Sequence, residues 1–504
     1  MTPKRVNERA EIVIIGSGPG GGTLARALGE KGMDVLLVEQ GDVLPSEPEN
    51  WSATAAAEGR YRSPERWVDA KGIEFDPGVH DWVGGNSKMW GACLPRFRAE
   101  DFMEVEHRGG ISPAWPITYG DLEPYYADAE RRFGVHGQVG IDPTEPSRSS
   151  PFPHEAVPDE PVLALLRDRL RAQGLHPFPL PLGVDLGDGG RCIRCRTCDG
   201  FPCRVDAKAD ADVSMVRPAV ASGNVRLQTR TNVTRLLIDS TGLRVVAAEA
   251  IRDGEPCRIE GGTFVVSCGA VRSAALLLAS ENEHHPNGLA NSSGQVGRNY
   301  MAHNLTELIA VGTRAAAATF QKTLGLNDFY LTSPSDGRPL GNIQMIGKVH
   351  PEMSRRLPRS PWVLRRVMTA RSLEFVIVSE DLPSSGSRVE LAPDGRIRLT
   401  FTPNNLAAHR ELVRRARGML RRAGYPLVIA RPQATSTSHQ CGTIRFGTDP
   451  ASAVLDPLCR AFDLDNLLVV DASFMPSSAA LNPGLTIAAQ ALRVAALVDF
   501  SRGQ

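Results

Sequence analysis

The chain has 504 residues, 42% of them apolar, so it is too long for one compact core and about two or three domains are expected. Lysine plus arginine equals aspartate plus glutamate at 57 each, which gives no charge argument for nucleic acid or an anionic membrane as partner. The most apolar stretches, near Leu276 and Ala488, are cut by Arg272 and by Gln490 with Arg493, so none is expected to span a bilayer. Residues 1–9 contain no apolar core and no cleavage site, and a cytoplasmic location is the expectation.

In chain order, the apolar run Ile12 to Ile15 turns through Gly16, Gly18, Pro19, Gly20 and Gly21. A helical stretch follows, then the run Val35 to Val38, which ends at Glu39 and Gln40. This is strand, glycine turn, helix and strand. Gly16 permits the tight turn, Gly18 lets backbone approach a pyrophosphate, and Gly21 lets the helix pack on the sheet. The free N–H groups at the helix start face the phosphates, and Glu39 can accept from a ribose hydroxyl. The unit is expected to bind an adenine dinucleotide.

Trp51 to Asp81 is polar and broken by Pro and Gly, and is expected to be a surface excursion. A second glycine-rich segment, Gly84 to Gly91, follows. Trp115 to Phe133 reads as a turn and a helix, residues 143–161 as a loop or arm, and Glu160 to Gln173 as a helix ended by Gly174. Strands are expected at Val225 to Thr229, Val233 to Ile238, Leu243 to Arg252 and Thr263 to Ser267, then a helix from Gly269 to Ser280. Leu305 to Val311, Asn342 to Val349, Ser372 to Val378 and Arg396 to Phe401 are assigned to a second, largely antiparallel sheet. An Arg-rich helix, Ala407 to Ala423, precedes a last strand (Leu467 to Asp471) and helix (Leu485 to Phe500). The chain is thus α/β (α+β), a Rossmann-like domain assembled from discontinuous segments plus a second domain.

This order, with its motifs, resembles the glucose–methanol–choline (GMC) family of flavin oxidoreductases over nearly the whole chain. Gly84, Gly85, Asn86, Ser87, Met89, Trp90, Gly91 and Ala92 are similar to the family's second glycine segment, beside the flavin ring and pyrophosphate. Val233 stands where backbone meets the adenine in the family. Cys268 and Gly269 open a turn similar to its glycine–alanine turn. The C-terminal segments Ser438 to Gly442 and Val470 to Thr486 carry the rest. The resemblance implies that His439 and Asn482 face each other over the flavin. It further implies that Asp471 with Ala472 meets the phosphate–ribose chain, and that Asn482, Pro483 and Thr486 touch the ring. The implied boundaries are 1–110, 191–304 and 435–504 for the FAD-binding domain, 111–190 for helices and an arm, and 305–434 for the substrate-binding domain.

The chemistry of these residues agrees. Removing a hydroxyl proton as hydride leaves the carbon needs a base that titrates near neutrality, which suits His439. His439 lies among the small residues Ser436, Thr437, Ser438 and Gly442, which leave room for substrate. Asn482 can hold the same hydroxyl and stabilise its developing charge. Through Val83 to Arg96, Ser112 to Tyr126, Asp199 to Cys203, Gln295 to Asn304 and Phe320 to Tyr330 the chain resembles, within the family, the pyranose 2-oxidase branch and its bacterial members, which implies oxidation of a ring hydroxyl at C2 or C3 of a sugar or glycoside. O2 would be reduced to H2O2; a dehydrogenase using a quinone or another acceptor is the alternative. Fungal pyranose oxidases bind flavin through a histidine where Met89 stands here, so FAD is expected to be non-covalent. Gln344, Trp90 and Asn327, the last in the loop Phe320 to Tyr330, are candidate substrate contacts. The alternatives are an ordinary strand amide for Gln344, a packed loop or a subunit contact for the loop of Asn327, and a core position for Trp90; a homo-oligomer stays open.

Cys192, Cys195, Cys198 and Cys203 form the sequence's other cluster. Their spacing admits structural thiols, an iron–sulfur cluster or zinc; no metal ligand is assigned. The remaining cysteines (Cys93, Cys257, Cys268, Cys441, Cys459) are scattered and are expected to be small core residues.

Overall fold

The structure, a computed structural model, describes residues 6–187, 189–353, 361–433 and 437–503. Residues 1–5, part of the stretch read for targeting, and Ser436, one of the small residues expected around His439, lie outside these. Among the described residues no helix is long and apolar enough to cross a membrane.

The central sheet has seven strands. Val225–Gln228, Val35–Val38, Val6–Ile15 and Glu255–Val266 run parallel in that order, and Leu467–Val469 joins the end of Glu255–Val266, also parallel. Thr231–Ile238 and Val245–Arg252 extend the sheet as an antiparallel meander. The inner parallel strands carry the unbroken apolar runs Ile12–Ile15 and Val35–Val38 because both faces are covered there: Ile12, Val13, Ile14, Val35 and Leu37 are all fully buried. Each such side chain contributes roughly 1.5–3 kcal/mol on burial.

Register decides where the site lies. Ile15 pairs with Val38 on one side and with Val266 on the other, and Val266 pairs with Val469. Residues 16, 39, 267 and 470 therefore emerge together at the carboxyl edge of the sheet, where ligands bind in open parallel sheets. The helix Gly484–Leu497 packs against Pro19–Glu30 and Tyr119–Phe133 beside this edge.

A second sheet of six strands is antiparallel throughout, in the order Leu427–Pro432, Asn304–Val311, Ser372–Ser379, Asn342–Met345, Leu324–Leu326, Phe178–Pro179. The helix Leu406–Arg422 covers it, burying Ala408, Leu412, Ala416 and Met419 along one stripe.

Three sequence expectations are corrected. Ile397–Thr400 is not part of the second sheet: it pairs with Arg388–Leu391 and, in parallel, with Trp67–Asp69. The stretch from Trp51 to Asp81 is not a mere surface excursion, since it holds the helix Ala53–Glu58, two strands and the fully buried Trp67. Trp67–Asp69 pairs with Glu74–Phe75 in a short local hairpin and, on its other side, with Ile397–Thr400 some 330 residues away, a partner that no local pattern announces. The segment from Phe320 to Tyr330 is no open loop either: it contains the strand Leu324–Leu326, and Phe320 and Tyr330 are buried.

Candidate active site

The glycine turn is shaped by what surrounds it. Gly16 has φ +102°, and a Cβ there would lie 2.2 Å from the Ser267 carbonyl oxygen. A Cβ on Gly20 would lie 1.7 Å from the Val470 carbonyl oxygen, and one on Gly21 2.0 Å from that of Gly16. Gly18 differs: a Cβ there meets nothing within 4 Å. The helix Pro19–Glu30 begins at that open side with no side-chain cap and no acid in its first turn. Its free N–H groups and an empty approach suit a pyrophosphate.

Buried acids flank the turn. The Glu39 carboxylate accepts from the Ser17 N–H (3.1 Å), the Ser17 hydroxyl (2.6 Å) and the Gly41 N–H (3.0 Å), next to the half-buried Gln40. Burial pushes its pKa up. Asp471 accepts from the Gly269 N–H (2.9 Å), the Ser273 hydroxyl and the Ser473 N–H (2.8 Å), with Ala472 buried beside it. Gly269, at φ +86°, precedes the helix Ala270–Ala279, again without a side-chain cap, and the Cys268 thiol donates to the Ile15 carbonyl. Val233 is half-buried on the strand Thr231–Ile238, toward the sheet's far edge.

The second glycine segment is tied onto the first. The Gly84 N–H donates to the Ser17 hydroxyl (2.9 Å), and a Cβ on Gly85 would reach 3.6 Å from the Gly18 Cα. Asn86 accepts from the His80 N–H, Ser87 accepts from the Ala211 N–H, and Met89 is buried. Lys88 sits buried between Asp210 (3.1 Å) and Asp212 (2.9 Å). Burial works against its charge, but the two carboxylates more than offset it and raise its pKa. Lys88→Met leaves the buried Asp210 without its ion pair and Asp212 with Arg217 alone, so a loss of about 3–5 kcal/mol is expected, read as a lowered thermal midpoint. At Gly91 a Cβ would lie 1.7 Å from Lys322 Nζ and 2.0 Å from Asp199 Oδ1; Ala92 is fully buried.

The two C-terminal candidates meet. His439, held at φ +61°, places Nε2 3.5 Å from Asn482 Nδ2, and Asn482 Oδ1 is buried without a partner among the described residues. His439 Nδ1 lies 2.8 Å from Nδ1 of His303, whose Nε2 is 3.0 Å from the Ser478 carbonyl oxygen. Burial first, then His303 and Lys322, hold the His439 pKa well below the usual histidine value. Trp90 abuts Gly484, where a Cβ would lie 2.4 Å from its ring, and its buried indole N–H has no partner among the described residues.

The comparisons with known proteins fit this geometry. Two family models, each described as GMC oxidoreductase, match residues 182–305 and 383–491. The chain is 33% identical to 6'''-hydroxyparomomycin C oxidase of Streptomyces lividus over 98% of its own length and 92% of that protein. The chain belongs to the GMC oxidoreductase family. It is 26% identical to the C-glycoside 3-oxidase of Arthrobacter globiformis, covering 98% of this chain and 95% of that one. The solved pyridoxine 4-oxidase of Mesorbium loti shares its fold, with a TM-score of 0.68 at 19% identity over 97% of this chain and 98% of that one.

In this GMC oxidoreductase the unpartnered Trp90 N–H and Asn482 oxygen, the open side of Gly18 and the uncapped helix starts fit a flavin dinucleotide. Other expected residues are engaged in the fold. The Thr486 hydroxyl, fully buried, bonds the Tyr126 hydroxyl at 2.7 Å, and Pro483 starts the last helix. Gln344 accepts from the Cys93 thiol (3.3 Å), next to Ala92. Asn327 donates to Asp142 and accepts from Asn342, so both ends of its amide serve a buried network. His303 was missed; within the segment Gln295 to Asn304 nothing but its residue type marks it, and its partner is 136 positions away.

The four clustered cysteines of this GMC oxidoreductase are free. No group of three or more His, Cys, Asp or Glu among the described residues is placed to hold a metal. Cys198 is desolvated, its pKa pushed up to about 12, and the Cys195 thiol lies 3.1 Å from the Thr197 hydroxyl. The segment packs on the second glycine turn, since the Gly200 N–H donates to the Met89 carbonyl (2.8 Å). As expected of small core residues, Cys93, Cys257, Cys441 and Cys459 are buried; Cys268 is half-buried.

Proposed function

We infer that this protein oxidises a hydroxyl of a sugar or glycoside to a carbonyl, with non-covalently held FAD and O2 as final acceptor, yielding H2O2. The observation that carries this is the pair His439 Nε2 and Asn482 Nδ2, 3.5 Å apart. FAD, when bound, supplies the hydride acceptor. His439 Nε2 takes the hydroxyl proton as the hydride departs, so a C–H and an O–H bond break and a C=O forms. Asn482 Nδ2–H donates to the hydroxyl oxygen and orients it, and Trp90 closes one side against water. FAD is held by residues of 1–110, 191–304 and 435–504, and substrate contacts come from 305–434, with Gln344 the foremost candidate.

A hydroxyl at ring C2 or C3 is the favoured target. The name of the Streptomyces lividus relative supports a second reading, an exocyclic 6-hydroxyl. Monosaccharides and O- and C-glycosides, screened for flavin bleaching without air, are expected to yield at least one bleaching glycoside. Carbon NMR of its product locates the new carbonyl, and peroxide yield under air separates an oxidase from a dehydrogenase. No bleaching by any carbohydrate would sink the proposal. Because Met89 offers no imidazole for a flavin link, acid precipitation is expected to leave all yellow colour in the supernatant.

A further inference from the structure

We propose that His303 is a positioning residue that fixes His439 in its Nδ1–H tautomer, leaving Nε2 as the bare, proton-accepting nitrogen beside Asn482. The inference rests on the reading of His439 as the base. Each step follows from what an atom can donate. The Ser478 carbonyl oxygen carries no proton, so His303 Nε2, 3.0 Å away, must be the donor. Burial keeps His303 neutral by holding its pKa below the ordinary value. A neutral imidazole with a proton on Nε2 has a bare Nδ1. That nitrogen lies 2.8 Å from His439 Nδ1, and two lone pairs at this distance repel, so His439 must carry its proton there. His439 is then left with its lone pair on Nε2, the nitrogen that faces Asn482 Nδ2.

The opposite tautomers would set His303 Nε2 lone pair against the Ser478 carbonyl and place a proton on His439 Nε2, where the substrate proton has to go. Ring orientation is fixed as well. The two imidazoles cross at 73° with centroids 4.8 Å apart, and His303 is only 5% exposed, so its ring has little room to turn. The Ser478 hydroxyl donates to the Asp381 carbonyl (2.9 Å), which anchors the carbonyl end of the relay. A base held in one tautomer by a second group recurs in catalytic sites, and losing the correct tautomer there costs on the order of 10⁴-fold in rate.

The test uses the holoenzyme labelled with 15N-histidine and long-range proton–nitrogen correlations, the signals assigned with His439→Asn and His303→Asn. The expected spectrum shows a pyrrole-like Nδ1 and pyridine-like Nε2 for His439, and the reverse for His303. In His303→Leu the His439 pattern is expected to shift toward Nε2–H, and flavin reduction by substrate to fall at least about 100-fold. His303→Asn, whose side-chain oxygen can accept from His439 Nδ1–H, is expected to stay within about tenfold of wild type. A wild-type His439 protonated on Nε2, or equal losses in the Leu and Asn variants, would overturn the inference. If His439→Asn reduces flavin at full rate, the function reading falls instead, while the tautomers remain readable.

Discussion

His439→Asn is expected to lower substrate-driven flavin reduction by about 10²–10⁴-fold, with FAD content and thermal midpoint unchanged. Asparagine is the substitution of choice because position 439 has φ +61°, a left-handed conformation that asparagine tolerates and β-branched residues do not. The loss is therefore assigned to the missing base rather than to backbone strain. The wild-type pH profile supplies a second check. Only neutral His439 can accept a proton, and burial, His303 and Lys322 all depress its pKa. Its neutral form thus persists to lower pH than for an ordinary histidine, so the acid limb of kcat/KM should lie below pH 6.5. A limb above that value, or an Asn variant with wild-type rates, would remove His439 from the base role.

A matched pair of glycine substitutions is expected to separate cofactor binding from folding. Gly20→Ala drives a Cβ to 1.7 Å from the Val470 carbonyl, so the end of the strand Leu467–Val469 must move, and Asp471 with it. Overpacking of this kind costs roughly 1–3 kcal/mol, sometimes more, and both thermal midpoint and FAD content should fall. Gly18→Ala adds the same methyl to a position that meets no protein atom within 4 Å, at φ −66°, which alanine adopts freely. The apo-protein should then melt as wild type does, while FAD affinity drops tenfold or more, about 1.4 kcal/mol. Unchanged FAD affinity in Gly18→Ala would mean that the pyrophosphate does not pass there.

What could be read from the sequence followed from local chemistry. Glycines 16, 18 and 21, the two apolar runs and the acid at 39 announce their unit because every part lies within thirty residues and each has one physical reason. Motif likeness marks His439 and Asn482, and the fold brings them together. Non-local pairings were illegible. The short strands Trp67–Asp69, Leu324–Leu326 and Phe178–Pro179 have too few residues for a period-two pattern, and each has one partner far along the chain. Asn327 looked like a sugar ligand by composition, yet its meaning is set by Asp142, which no sequence window joins to it. His303 belongs to the same class.

The last strand of the central sheet, Leu467–Val469, docks on Phe264 to Val266. The roughly 200 residues between them take on the order of 10–40 s to synthesise at ribosomal speeds of about 5–20 residues per second. During that interval Val266 presents an unpaired edge, and Gly20 lacks the wall that Val470 will form. Assembly of the crevice consequently waits for the synthesis of residues 467–470, and prosthetic-group loading waits with it.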